Sequence, residues 1–112
     1  GGGLSFCLHQ ILGCEIDSGS KYFLEATKLS KKVKEYEIGV FCEGKFDESS
    51  FEGKIIGELL KNFNGKSYFL GGQYIAGDEK LFTNIFDCGE AGLNDPKGTL
   101  KIATNNLIKE LT

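Results

Sequence analysis

Apolar positions along the chain alternate between two rhythms, and the change of rhythm marks the elements. Leu4, Leu8, Ile11 and Leu12 fall at i, i+4, i+7 and i+8, one helix face, and Gly13 follows as a stop. After a polar connection from Glu15 to Ser20, Phe23 and Leu24 point to a short helix over about Lys21 to Thr27. Ser30 is placed to cap a further helical stretch through Glu35. Ile38-Gly39-Val40-Phe41-Cys42 then breaks the rhythm with a near-continuous apolar run, the pattern of a buried parallel strand. Ile55, Ile56, Leu59, Leu60 and Phe63 restore the helical stripe, predicting a helix over about Phe51 to Phe63 that Asn64-Gly65 ends. Ser67 to Leu70 is the next strand, with Gly71-Gly72 as its stop. Asp78 to Phe82 suits a turn of helix, Asn84 to Cys88 a third strand, and Gly89 to Pro96 a polar loop. Leu100, Ala103, Leu107 and Leu111 line one face of a last helix, Lys97 to Leu111.

Strand, helix, strand, strand, helix in this order predicts an α/β fold, with a short, mainly parallel sheet and helices on both faces. Three strands make a thin sheet, and parallel strands need cover on both faces. Residues 1–112 are therefore expected to form a single α/β segment of a larger domain. The opening Gly1-Gly2-Gly3, without Met, has the look of a fragment or a processed chain.

Composition narrows the function classes. Hydrophobic content of 40% with 9 Phe in 112 residues predicts a folded core rather than disorder. The net charge of −3 gives no electrostatic case for nucleic acid or an anionic membrane surface as partner. No apolar run approaches the roughly 20 residues that span a bilayer. Four cysteines, Cys7, Cys14, Cys42 and Cys88, form no CxxC pair, and one histidine, His9, leaves zinc-finger spacings unfilled. Reduced, buried thiols and a cytoplasmic location are expected. The run Lys28, Lys31, Lys32 and Lys34 has the pattern of a solvated helix face, and His9 that of a surface or packed histidine.

The candidate chemistry lies between the first strand and the helix after it. Glu43, Gly44, Lys45, Asp47, Ser50, Gly53 and Lys54 crowd two carboxylates, two amines and a hydroxyl into one short stretch, expected to be a loop that turns at Gly44. Ligands in open α/β sheets bind outside the carboxyl ends of the strands, where this stretch falls. Charges of both signs suit a phosphorylated, metal-bound substrate. Gly2 and Gly3 open the first helix, where bare backbone N–H groups can accept an anion.

Residues Cys42-Glu43-Gly44-Lys45-Phe46-Asp47, with Ser50 and Gly53-Lys54, resemble the motif G-E-G-R-x-D-x-Q-[ST]-x-x-G-K of the type 1 glycerate kinases, without a gap. Gly1-Gly2-Gly3-Leu4-Ser5-Phe6 is similar to that family's A-G-G-x-G-F segment. The resemblance covers essentially this whole chain and the C-terminal portion of a family member. Cys42 stands where the family has glycine, Ser5 likewise, Ser49 replaces glutamine and Lys45 arginine. The resemblance implies ATP-dependent phosphorylation of D-glycerate with Mg²⁺, at a cleft between two α/β domains. This segment would complete the Rossmann-like one. It makes Glu43, Asp47 and Lys54 the catalytic candidates, with Glu43 and Asp47 as metal ligands. Gly2, Gly3, Gly44, Lys45, Ser50 and Gly53 would bind substrate or phosphate.

The implied partners are glycerate, ATP and the N-terminal part of the same enzyme, without which the segment is expected to be inactive. A homo-oligomer is left open. The competing readings are a non-catalytic α/β remnant that binds a partner chain or small anion through residues 43–54, and a flavodoxin-like or receiver-type domain.

Overall fold

The computed structural model describes residues 2–52, 54–75 and 81–112. The turn of helix expected over Asp78 to Phe82 thus lies mostly outside the described residues, as does Gly53. The elements run α1 (Leu4–Leu12), α2 (Gly19–Thr27), α3 (Leu29–Lys32), β1 (Ile38–Asp47), α4 (Glu48–Phe51), α5 (Ile55–Asn62), β2 (Lys66–Ile75), β3 (Asn84–Asp87) and α6 (Pro96–Leu111). Single 3-10 turns follow α3 and precede α6. All strand pairing is parallel, in the order β1-β2-β3, which makes the fold α/β and Rossmann-like as expected.

Helix ends follow side-chain chemistry. Gly13 ends α1 in the left-handed conformation, its N–H donating to the His9 carbonyl, and His9 Nδ1 lies 2.7 Å from the Cys14 carbonyl it can donate to. His9 is thus a surface residue that ties down a helix end. Ser18 caps α2, and Asp95 caps α6 through the Gly98 N–H with Pro96 in the first turn. Ser30 does not cap α3 as expected; Lys28, at φ 55°, ends α2 and starts α3.

The core is aromatic. Phe41, Phe46, Phe69 and Phe82 are buried together, with Phe51 from α4 and Ile56, Leu59 and Leu60 from α5 packed on them. Phe41 and Phe46 are five residues apart, a spacing that would put them on opposite faces of a regular strand. Yet both rings pack on Phe82, at 5.9 and 5.3 Å between centroids. Alternation therefore breaks between them, where the register runs to Glu43↔Gly71 and resumes at Lys45↔Gln73. Gly44, the residue between, and Lys45 after it are both exposed, so the side-chain alternation slips there while the strand register does not.

Two strand ends differ from expectation. β1 does not stop at Cys42 but carries the charged residues as strand through Asp47, so Gly44 is no sharp turn. β2 runs through Gly71-Gly72, which are strand interior, not a stop. The helix expected over Phe51 to Phe63 is split into α4 and α5, with Gly57 buried against the Phe51 backbone where a side chain would not fit. The thiols are free but not buried: Cys7, Cys14 and Cys42 are exposed and Cys88 is half-buried.

α1 carries no buried residue, and Ile11 on it is 77% exposed. Accordingly the radius of gyration is 16.9 Å, against about 13 Å for a compact domain of this length. No helix among the described residues is long and apolar enough to cross a membrane.

Candidate functional site

β1 carries Glu43, Lys45 and Asp47 to the carboxyl end of the sheet, and the turn into α4 and α5 brings Ser50 and Lys54 back to them. Asp47 is both the last strand residue and the cap of α4. Its Oδ1 accepts from the Ser49 N–H (3.1 Å) and the Ser49 hydroxyl (2.6 Å). Ser50 completes the capping box, its Oγ accepting from the Asp47 N–H at 3.3 Å. The Ser50 hydroxyl is fully buried; it donates to the Lys45 carbonyl at 3.3 Å and accepts from Lys54 Nζ at 3.2 Å. One proton and two lone pairs are thereby spent. In this arrangement Ser50 holds Lys54 in place and has nothing left for a ligand.

Lys54 Nζ also lies 3.2 Å from Glu43 Oε1. The other oxygen, Glu43 Oε2, is sealed from solvent and has no hydrogen-bond partner among the described residues. A buried carboxylate oxygen without a donor is costly, and a cation or a ligand's donor would relieve that cost. Lys45 Nζ stands 3.7 Å from Asp47 Oδ2. The hydrogen bond from the Ser49 hydroxyl, and after it the charges of Lys45 and Lys54, hold the Asp47 carboxyl below its ordinary value.

The two acids and the lysine singled out from the sequence are therefore brought together, with Lys45 and Ser50 beside them. Gly2 and Gly3, both at positive φ, open α1, and no hydrogen bond or ion pair joins them to the Glu43–Lys54 group among the described residues. Gly44 lies in the strand between the two acids.

Three cavities surround this group. One of about 420 Å³ is lined by Ser20, Cys42, Glu43, Lys54, Ile55 and Ile56. A second, about 450 Å³, lies beneath α6 and reaches Glu43 from the other side. A third, about 340 Å³, borders on the second along Gly44 and Gly72 and includes Lys45.

The sequence model of the glycerate kinase family matches residues 1–102 of the 112-residue chain. The chain belongs to the glycerate kinase family. No curated protein matches it significantly. The match runs into α6, so all three strands and the whole Glu43–Lys54 group fall inside the kinase family's segment, as the motif at residues 42–54 led us to expect.

The residues fit what such a kinase needs of a metal only in part. No cluster of three or more His, Cys, Asp or Glu is arranged for a metal among the described residues. Mg²⁺, however, is commonly held by one or two carboxylates together with substrate phosphates and water. Glu43 Oε2 offers one such oxygen, and Asp47 a second carboxylate that stays ionised.

Sequence reasoning passed over Ser49 as a site residue, and over Leu70, Cys88, Leu100 and Thr104, which line the cavity under α6. The Asp-x-Ser spacing at residues 47–49 was the available signal for Ser49, since aspartate side chains commonly accept from the backbone two residues on. The cavity residues come from three separate elements and carry no local signal.

Proposed function

We propose that the chain is part of an ATP-dependent kinase that phosphorylates D-glycerate to phosphoglycerate with Mg²⁺. An N-terminal part of the same enzyme supplies the facing side of the cleft. The observation that carries this reading is the Lys54 ammonium, fixed between Glu43 Oε1 and the buried Ser50 hydroxyl at the carboxyl end of β1.

Phosphoryl transfer asks a protein mainly to position the groups and offset the charge that develops on them. Lys54 meets that demand as a point charge whose direction is set by two partners. Glu43 would hold the metal through Oε2, and Mg²⁺ there would supply positive charge against the donor's phosphates. Asp47 is a weak base, because Ser49 and two lysines stabilise its ionised form. It suits orienting Lys45 and holding a cation better than taking a proton from glycerate.

The test is ADP formation in a coupled assay. The chain alone should turn over nothing. Combined with the N-terminal part of a complete family member, it should give glycerate-dependent ADP that Lys54→Met cuts roughly a hundredfold. A folded assembly that binds Mg·ATP without glycerate-dependent ADP would overturn the reading in favour of a non-catalytic binding module.

A further inference from the structure

We propose that the cavity beneath α6 receives the nucleobase and ribose end of the phosphate donor, an inference that rests on the kinase reading above. Its volume of about 450 Å³ is within the range of small-molecule sites. Its walls are Leu70, Leu100 and Pro96, and its floor is the bare backbone of Gly44, Gly71 and Gly72. A methyl group at Gly71 or Gly72 would run into the carbonyls of Glu43 or Gly44, so strand contact alone demands glycine there. The consequence for a ligand is a flat floor without side chains.

Of the two substrates, D-glycerate is the wrong occupant. It is a three-carbon hydroxy acid with no apolar face, and no lysine, arginine or histidine is among the residues that line this cavity to meet its carboxylate. A purine has two apolar faces and a few polar edge atoms. Thr104 can serve such an edge: its hydroxyl donates to the Leu100 carbonyl at 2.8 Å, and the oxygen stays available to accept from an exocyclic amine.

Polarity changes along the cavities in the order a nucleotide requires. The apolar slot borders on the 340 Å³ cavity along Gly44, Gly72 and Pro96, and Lys45 stands in that second space. Glu43 borders both the slot and the cavity that contains Lys54. Both lysines therefore lie beyond the slot, at its Glu43–Gly44 end, where the phosphates of a nucleotide lying in it would point.

The four free thiols supply an internal footprint. Cys42 and Cys88 line the slot, while Cys7 lies on α1 and Cys14 just after it. Alkylation by iodoacetamide, followed at each cysteine by mass spectrometry, should slow several-fold at Cys42 and Cys88 when adenosine is added. Cys7 and Cys14 should react at unchanged rates, and D-glycerate should protect none of the four. Unchanged rates at Cys42 and Cys88 in saturating adenosine would overturn the proposal. So would protection that persists in Thr104→Phe, which fills the slot. Protection by adenosine without glycerate-dependent ADP in the assembled enzyme sinks the kinase reading and leaves the slot standing; turnover without protection does the opposite.

Discussion

Lys54 reaches back to Glu43, its ammonium 3.2 Å from Oε1, and so joins the start of α5 to the middle of β1. The side chains of the pair are 47% and 24% exposed, and a bridge that open to water adds no more than about 1 kcal/mol to stability. The contact is better explained by what it positions. We expect Lys54→Met to lower the urea midpoint only slightly. In the assembled enzyme the same change should cut turnover roughly a hundredfold, the usual cost of losing one preorganised charge-stabilising donor. A large loss of stability with turnover intact would show that the lysine serves the fold.

Ser50 should behave the other way round. Its buried hydroxyl satisfies the Asp47 N–H and the Lys45 carbonyl as well as Lys54, and no water reaches it to substitute. Ser50→Ala removes a cap and leaves polar groups unpaired, at a cost of about 1–2 kcal/mol. The loss should appear in the urea midpoint and as faster amide exchange at Asp47.

Asp47 makes a pH prediction whose sign is fixed by its lowered pKa. A carboxyl that ionises more readily in the folded chain stabilises the fold fully above its unfolded value of about 3.9. That contribution is lost as the pH falls below this value and through the lowered folded one. The difference in urea midpoint between the wild-type chain and Asp47→Asn should therefore be constant near neutrality and shrink in acid. A difference that grows in acid would contradict the Ser49 and lysine contacts.

Much of this was legible because it is local. The i, i+4, i+7 spacing of α1 with its Gly13 cap gave that helix to the residue, and the Leu100-to-Leu111 stripe gave α6 to within one. Strand ends were not legible. Glu43, Lys45 and Asp47 are polar, and Gly71-Gly72 are poor strand formers. Both stretches are nonetheless held extended by pairing with each other, which lies outside either local sequence. The break between α4 and α5 was hidden similarly. Its causes are the Asp47–Ser50 box and the approach of Gly57 to the Phe51 backbone, both matters of close packing. For the site, residue types and spacing marked Glu43, Asp47 and Lys54, but not that Ser50 is buried as their support.

The glycines of β2 separate strand packing from ligand contact. A Cβ at Gly71 would meet the Glu43 carbonyl and lie 2.7 Å from the Phe69 ring, whereas one at Gly44 would meet nothing within 4 Å. Backbone carbonyls in a paired strand cannot move aside cheaply. Gly71→Ala should cost about 3 kcal/mol, and Gly44→Ala only about 0.5 kcal/mol. Thermal denaturation of the two variants would check the contrast, and equal melting points would refute the close strand contact.

Phe46 ties the core to the site most directly, because it sits between Lys45 and Asp47 on the same strand. Its ring is fully buried against Phe69, Tyr74 and Phe82, with centroids 5.3–5.7 Å away. Its position depends on the break in alternation at Gly44; a regular strand would turn the ring out and both charges inward. Phe46→Ala should therefore cost about 3–5 kcal/mol, a large share of the roughly 5–15 kcal/mol that holds a domain together. Phe46→Leu keeps most of the apolar volume and should cost far less. If strand register at this point governs the site, Phe46→Leu should also weaken Mg·ATP binding in the assembled enzyme, although Phe46 lines none of the three cavities around Glu43 and Lys54. Unchanged affinity alongside the smaller stability loss would show that Lys45 and Asp47 keep their places without the aromatic anchor.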